Sequence, residues 1–360
     1  MNTKKIDEFI KNKIKELKLP YFYCLVKKEN KVIYTLRYSH DDNDMLRMYS
    51  MSKPITAVAI MQLYEKGQLD IYDNVAKYLK GYDDLKLIDG SKVDKPITIY
   101  NLLTMTSGLD YNLNRKEILK LKEKDNNAST VKICEVMAKD GLLFTPGSDY
   151  QYSLSFDVLA AITEKVSKQK FSTYVKENIF KPLGMNNSTF VYNPILSKKC
   201  VDEYINKDKK LVKIKPLYEG FFPTKNYESS GAGLISTVKD YSLFISSLAN
   251  RENKILKDES VDLMSKVYVQ VTPFNEAVQE YSKASNEYGY GFGVRVRKVK
   301  SKNIPIGEFG WDGATGSYSL CDRKNKISIV MGLSIASWPN YLKDFHIVIA
   351  KEIYQEIFSI

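Results

Sequence analysis

Histidine is scarce in this chain of 360 residues, which has only His40 and His346, and neither lies in a recognisable motif. A histidine-based metal site is therefore not predicted, since such sites need clusters of His and Cys side chains. A Ser-His-Asp triad would have to use one of the same two residues. We expect any hydrolytic chemistry to use a base other than imidazole.

The sequence also lacks paired cysteines and long apolar runs. Its four cysteines are isolated, with no Cys-x-x-Cys pair or metal-like spacing. The amino-terminal segment carries charges throughout, unlike the apolar core of a secretory signal peptide. No apolar run approaches the ~18 residues of a membrane span. These absences predict a cytoplasmic protein with reduced thiols and no membrane partner.

The chain is basic, with a formal net charge of +11. Its lysines are spread along the whole sequence, and the densest stretches, residues 207–215 and 295–302, alternate with apolar residues as solvated strands do. A nucleic-acid site needs a contiguous basic face. No nucleic-acid partner is therefore predicted.

Strand-like patterns at both ends of the chain predict an α+β fold. The runs around the turn at residues 28–31 and those after residue 288 are expected to form one antiparallel sheet, flanked by terminal helices. An amphipathic helix is predicted where Ile6, Ile10, Ile14 and Leu17 share one face. The expected organisation is a single two-lobe domain over residues 1–360. Residues 1–53 and 206–360 would form an α/β lobe, and residues 54–205 a mainly helical lobe.

The pattern Ser-x-x-Lys occurs four times, beginning at Ser50, Ser129, Ser167 and Ser236. Ser129 and Ser236 precede helices with polar faces, so both are interpreted as N-caps. Ser167 lies in a polar helix end.

Ser50 differs because of the segment that follows it. Pro54 is tolerated only in a first helical turn, so a helix is predicted to begin at residues 50–53. The run "ITAVAIMQLY" is apolar on nearly every face, which indicates a helix through the interior. Lys53 then shares a face with Ser50, and desolvation lowers the pKa of a lysine so that it can act as a base. This segment alone leaves open an N-cap serine with a lysine that reaches solvent.

Five ordered segments resemble the serine β-lactamase-like superfamily, which includes class C β-lactamases, DD-peptidases and family VIII esterases. The similarity runs from about residue 21 to the carboxyl terminus. It is carried by "YSMSKPITAVAIMQLYEKGQLDIYDNVAKYL", "ITIYNLLTMTSGL", "FTPGSDYQYSLSFDVLAAITEKVSKQKFSTYVKENIFKPLGMNNSTF", "SSGAGLISTVKDYSLFISSL" and "EFGWDGATGSYSL". The resemblance implies a β-lactamase/DD-peptidase-like fold with the active site in a cleft between two lobes.

By this resemblance, Ser50 is the acylated nucleophile, Lys53 its partner and Tyr152 the catalytic tyrosine. A phenol in that role requires nearby cations that favour phenolate, and Lys53 would be one. The backbone N–H groups of Ser50 and Ala314 are implied as the oxyanion hole. Leu154 stands where many members have an asparagine that helps hold the acylamide group of the substrate.

Trp311, Asp312 and Gly313 take the place of the Lys-Thr-Gly motif of β-lactamases and DD-peptidases, and are closer to the Trp-Gly-Gly form of some esterases. Trp311 offers an apolar wall or a cation–π surface. Asp312 would repel a carboxylate if it pointed into the site. Gly313 is expected to let a strand approach the substrate closely. Loops around residues 110–128 and 206–228 are expected to supply the remaining specificity walls.

These features predict a serine hydrolase that forms an acyl-enzyme with a small ester or amide lacking a free carboxylate. No cofactor motif is present. Two alternatives stay open: a β-lactamase or D-Ala-D-Ala carboxypeptidase of the penicillin-binding type, and a non-catalytic binder or sensor that uses the same cleft. The sequence predicts neither the natural substrate nor the oligomeric state.

Overall fold

The computed structural model of the protein describes residues 2–39, 41–208, 210–250, 255–270, 287–301, 303–337, 342 and 345–358. Strands from both ends of the chain form one antiparallel sheet, in the order β2-β1-β11-β10-β9-β8-β7. These strands are β1 (Phe22–Lys28), β2 (Lys31–Tyr38), β7 (Tyr288–Tyr290), β8 (Arg295–Arg297), β9 (Phe309–Gly310), β10 (Tyr318–Asp322) and β11 (Ile327–Gly332). The predicted α+β class and the sheet built from both termini are confirmed.

The first two strands form the hairpin that the sequence predicts. Glu29 and Asn30 connect them with φ angles of 50° and 64°, and two left-handed residues are typical of the tight turns that suit strand twist. Because β1 pairs with β11 in full register from Tyr23 to Lys28, strands from the beginning and the end of the chain are direct neighbours within the sheet.

Two terminal helices cover one face of this sheet, α1 (Thr3–Glu16) and α12 (Phe345–Phe358). Ile6, Ile10 and Ile14 are buried, as their spacing predicts, in a core shared with β1, β10 and β11. Lys5 of α1 forms ion pairs with Glu352 and Glu356 of α12. Burial of the apolar stripe therefore holds both ends of the chain on the same side of the sheet.

A mainly helical region follows the hairpin in the chain. At its centre α2 (Ser52–Glu65) has every residue from Ser52 to Leu63 buried, as its sequence predicts. The surrounding helices are α3 (Ile99–Leu103), α4 (Lys116–Lys124), α5 (Thr130–Met137), α6 (Ser155–Ser167), α7 (Phe171–Val175), α8 (Lys181–Leu183) and α9 (Pro194–Lys198). A π-helical turn, Lys176–Phe180, joins α7 to α8.

Two small sheets and two further helices complete the described chain. They are the pair of β3 (Met45–Arg47) with β6 (Ile235–Thr237), the hairpin of β4 (Glu203–Lys207) with β5 (Lys210–Ile214), α10 (Val238–Ala249) and α11 (Asp258–Met264). Single 3₁₀ turns lie at Tyr49–Met51, Val75–Lys77 and Leu217–Phe221. The β3–β6 pair leads directly into the segment that carries Ser50.

The N-cap predictions for the other Ser-x-x-Lys pairs have different outcomes. Ser129 accepts a hydrogen bond from the backbone N–H of Lys132 and caps α5, as predicted. The prediction for Ser236 is wrong, because Thr237 caps α10 by accepting from the N–H of Asp240. Ser236 lies one residue earlier in β6, where its hydroxyl pairs with that of Ser188.

All four cysteines are buried and none forms a disulfide. Among the helices in the described ranges, none is both long and apolar enough to cross a membrane.

Candidate active site

Ser50 lies in a sharp turn between β3 and α2. Tyr49, immediately before it, has a φ angle of +46°, a left-handed conformation that costs a bulky residue about 1–3 kcal/mol. The backbone N–H of Met48 donates to the carbonyl oxygen of Leu234 at 2.8 Å, which fixes the entry to the turn. Ser50 is half-buried, so its side chain remains open to solvent at the start of an otherwise buried helix.

The structure brings Ser50, Lys53 and Tyr152 together. The Ser50 Oγ lies 3.2 Å from the Lys53 Nζ and accepts a hydrogen bond from the Tyr152 hydroxyl at 2.7 Å. Ser50 and Lys53 are one turn apart on the same helical face, whereas Tyr152 comes from the segment just before α6. A nucleophile, an amine and a phenol are therefore within direct proton-transfer distance.

Lys53 is fully buried, and burial lowers its pKa to about 7. Its Nζ donates to the carbonyl oxygen of Gly231 at 2.7 Å and lies 3.4 Å from the Tyr111 hydroxyl. The negative charge of Asp157 opposes the effect of burial and raises the pKa of Lys53. A substantial fraction of this lysine is consequently neutral near pH 7, which is the form a general base requires.

Asp157 is the most important residue that the sequence did not predict. It is 1% exposed in the first turn of α6, and neither carboxylate oxygen has a hydrogen bond of standard geometry within the described chain. Burial raises its pKa, although Tyr227, Lys53 and Ser229 stabilise the ionised form from nearby. A Cβ on Gly231 would lie 2.7 Å from the Asp157 Oδ2 and 3.6 Å from the Lys53 Nζ. Glycine is therefore required where these two groups approach each other.

Tyr152 does not fit the expectation that a nearby cation favours its phenolate. Burial raises its pKa, and the hydrogen bonds to Ser50 and Trp311 only partly offset that effect. The Lys53 Nζ lies 4.5 Å from the centre of the Tyr152 ring, where it faces the ring rather than the hydroxyl. Burial therefore favours the neutral phenol, which donates to the Ser50 Oγ, and Lys53 is the group of this cluster whose pKa lies near 7.

Half-buried aromatic side chains surround the serine. The Tyr111 ring stacks parallel to Tyr152 with 5.5 Å between centroids, and Trp311 also stacks on Tyr152, with 5.9 Å between centroids. Phe221 meets Tyr111 edge-on at 6.1 Å. Tyr111 and Phe221 lie in the two loops that the sequence analysis assigned to specificity walls, although neither residue was singled out.

Asp312 is held by an arginine that the sequence gave no reason to pair with it. The Arg295 Nη1 lies 3.1 Å and 3.0 Å from its two carboxylate oxygens, and both side chains are buried. Arg295 also donates to the carbonyl oxygen of Ser319 and lies over the ring of Tyr318. The carboxylate of Asp312 is therefore neutralised by a buried ion pair.

Gly313 packs closely against the backbone of the segment that precedes Ser50. A Cβ at this position would lie 2.7 Å from the carbonyl oxygen of Met48, two residues before Ser50. The turn that begins at Gly313 is closed by its N–H, which donates to the carbonyl oxygen of Ser317 at 2.7 Å. Glycine therefore lets this turn pack against the segment that carries Ser50.

Ala314 lies in the same turn and is half-buried. Its backbone N–H donates to no acceptor among the described residues, as is expected of an oxyanion donor without substrate. The carbonyl oxygen of Gly316, two residues on, is 2.7 Å from the Nε2 of His346. His346 is buried and its pKa is lowered to about 3, so it is a neutral structural residue.

Leu154 is 3% exposed and belongs to the main hydrophobic core at the start of α6. Its place in the core argues for packing rather than for contact with a substrate. His40 lies outside the described residues. In the parts of the chain that the structure describes, no three His, Cys, Asp or Glu side chains lie close enough together to hold a metal ion.

Comparison with known proteins gives relatives of several kinds. Esterase EstB of Burkholderia gladioli is 26% identical over 272 residues, which cover 66% of this chain and 67% of EstB. Protein flp of Staphylococcus aureus is 26% identical over 207 residues, but the chain spans only 40% of its length. The solved structure of EstCE1, described as a hydrolase with promiscuous acyltransferase activity, superposes with a TM-score of 0.79 over 98% of both chains. At 23% identity, that superposition establishes the fold alone.

A family model described as Beta-lactamase matches residues 6–348. The match covers nearly the whole chain, including the segments that carry Ser50, Lys53, Tyr152 and the Trp311–Gly313 turn. The chain therefore belongs to the beta-lactamase family and is a serine hydrolase.

Proposed function

We propose that the protein hydrolyses small carboxylic esters through an acyl-enzyme on Ser50. The observation that carries the proposal is the arrangement of the Ser50 hydroxyl, 3.2 Å from an amine whose pKa is about 7 and 2.7 Å from a neutral phenol. The site would lie in a cleft between the helical lobe of residues 54–205 and the α/β lobe of residues 1–53 and 206–360.

In the first step, neutral Lys53 takes the proton of Ser50 as the Oγ attacks the ester carbonyl carbon. The carbonyl oxygen becomes an oxyanion, which the backbone N–H groups of Ser50 and Ala314 would stabilise. Two backbone donors of this kind contribute about 3–4 kcal/mol each to acyl transfer. The close packing of Gly313 on the carbonyl oxygen of Met48, two residues before Ser50, supports this pairing of donors.

The tetrahedral intermediate then collapses and expels the alcohol. The leaving oxygen takes a proton from the Tyr152 hydroxyl, and protonated Lys53 restores that proton to the phenol through a water molecule that enters as the alcohol departs. A water molecule next attacks the acyl carbon while Lys53 accepts its proton. The carboxylic acid leaves as the proton returns to the Ser50 Oγ, so the enzyme ends in its starting state.

The surroundings of Ser50 support uncharged substrates. Asp312 is neutralised by Arg295, and the Lys-Thr-Gly lysine that would meet a carboxylate is replaced by Trp311. The half-buried side chains around the serine, Tyr111, Tyr152 and Trp311, are aromatic. The names of EstB and EstCE1, an esterase and a hydrolase with acyltransferase activity, agree with this class of substrate.

The test is a substrate panel that compares a p-nitrophenyl ester, a chromogenic cephalosporin and a D-amino-acid amide. We expect kcat/KM to be highest for the ester, and Ser50→Ala to reduce it by on the order of 10³-fold or more. Ser167→Ala is the matched control, since it belongs to another Ser-x-x-Lys pair at a polar helix end and should keep full activity. Wild-type turnover by Ser50→Ala would refute the proposal. Cephalosporin turnover equal to that of the ester would favour a β-lactamase instead.

A further inference from the structure

We propose that Glu203 is a positioning residue whose single carboxylate holds two parts of the site in place. One is the nucleophile turn, Tyr49–Met51, which carries Ser50, and the other is the wall, the turn Leu217–Phe221 with the aromatic side chain of Phe221. The inference rests on the proposed role of Ser50 as nucleophile. Glu203 lies on β4, far from Ser50 in sequence, and is 2% exposed. Each of its two oxygens serves a different segment of the site.

The first oxygen, Oε1, holds the turn before the serine. It accepts a hydrogen bond from the Tyr49 hydroxyl at 2.7 Å and one from the Arg47 Nη1 at 3.1 Å. Tyr49 is the residue with φ of +46°, so its backbone lies in a conformation that it would leave if nothing held it. The bond to Glu203 fixes the far end of the ring, and that constraint is transmitted to the backbone next to Ser50.

The second oxygen, Oε2, holds the wall. It accepts a hydrogen bond of 3.3 Å from the backbone N–H of Leu217, the first residue of the 3₁₀ turn Leu217–Phe221. Phe221 at the end of that turn contacts the Tyr49 ring at 5.8 Å and the Tyr111 ring at 6.1 Å. The carboxylate therefore lies between the turn that aims the nucleophile and the turn that places the wall.

Arg47 holds the carboxylate in place. Its Nε donates to the Ser197 Oγ at 3.0 Å, its Nη1 donates to the carbonyl oxygen of Val201 at 3.1 Å, and its Nη2 donates to the carbonyl oxygen of Ser197. A buried ion pair is a costly way to stabilise a fold, because apolar side chains of similar volume often serve at least as well. The contribution we assign to this Arg47–Glu203 pair is orientation, because the fixed arginine determines where both Glu203 oxygens lie.

The test compares two substitutions that each remove one buried hydroxyl bonded to a carboxylate. Tyr49→Phe removes the bond to Glu203, and Tyr354→Phe removes an equally buried bond to the Asp322 carboxylate at 2.8 Å, on α12 and outside the site. We expect Tyr49→Phe to slow both kcat and fluorophosphonate labelling roughly tenfold to a hundredfold with KM unchanged, since a displacement of about 1 Å has effects of this size. Tyr354→Phe should keep wild-type rates. Equal rates for the two variants would overturn the inference.

Glu203→Gln tests the double role. We expect it to lower kcat and to raise KM together, because it weakens both the Tyr49 and the Leu217 contacts. A variant that melts at a lower temperature but keeps wild-type kcat and KM would show a purely structural residue and contradict the proposal. Ser50→Ala separates the two proposals. If Ser50→Ala is inactive while Tyr49→Phe is fully active, only the positioning role fails; if Ser50→Ala is active, the proposed function itself fails.

Discussion

Replacement of Asp157 by asparagine should shift the pH dependence of acylation to lower pH. The Asp157 Oδ2 and the Lys53 Nζ both lie close to one point above Gly231, so they are no more than about 6 Å apart. Two unit charges at ~6 Å interact by about 2.8 kcal/mol at an effective dielectric constant of 20. That energy corresponds to about two pKa units. Because burial raises the pKa of Asp157 and so disfavours its charged form, we expect a shift of about one to two units.

The direction of this shift in the pH midpoint follows from the protonation state in which Lys53 acts as a base. Lys53 accepts a proton only when it is neutral, so the rate rises with pH through its pKa of about 7. Removal of the Asp157 charge favours the neutral amine, so the midpoint should fall to about pH 5–6 with a similar plateau at high pH.

The assay is the second-order rate of fluorophosphonate labelling against pH, because this reaction reports acylation without deacylation. Asp240→Asn is the control, since Asp240 is also a buried carboxylate but accepts hydrogen bonds from Asn187 and Ser188, outside the site. It should leave the midpoint unchanged. An unchanged or higher midpoint in Asp157→Asn, with both variants folded, would refute the assigned coupling.

Three further predictions concern the parts of the site. Gly313→Ala should lower kcat about 10²- to 10³-fold in the ester assay, because its Cβ would lie 2.7 Å from a backbone oxygen and displace the turn that carries Ala314; a wild-type kcat would contradict the role of that turn. Tyr152→Phe should lower kcat about 10²- to 10⁴-fold, with the loss visible in both labelling and turnover; a wild-type rate would exclude its role as acid. Arg295→Met should reduce the free energy of unfolding by about 3–5 kcal/mol in urea titration, since it removes the arginine partner of the buried Asp312 carboxylate, and an unchanged stability would contradict the ion pair.

Local chemistry made part of the site predictable from sequence. Pro54 limited where α2 could begin, and the helical spacing then placed Lys53 beside Ser50. The apolar run after Pro54 indicated that this lysine is buried. Tyr152 could be assigned only through the resemblance to a family, because nothing in its own neighbourhood separates it from 25 other tyrosines.

The remaining parts depend on tertiary contacts that have no local pattern. Asp157 is one of 43 acidic residues, and its place in an ordinary first helical turn gives no sign that it faces Lys53. The partner of Asp312 is Arg295, a residue on a different strand whose position depends on the register of the sheet. Thr237 rather than Ser236 caps α10 because the strand β6 extends to Thr237, a boundary that either residue could have formed.

The most direct test of the account is to locate the residue that reacts with a fluorophosphonate. Intact-protein and peptide mass spectrometry of the labelled wild-type chain should show one adduct, carried by the peptide that contains Ser50, and none in Ser50→Ala. An adduct on any other serine, or equal labelling of Ser50→Ala, would contradict the assignment of Ser50 as the nucleophile.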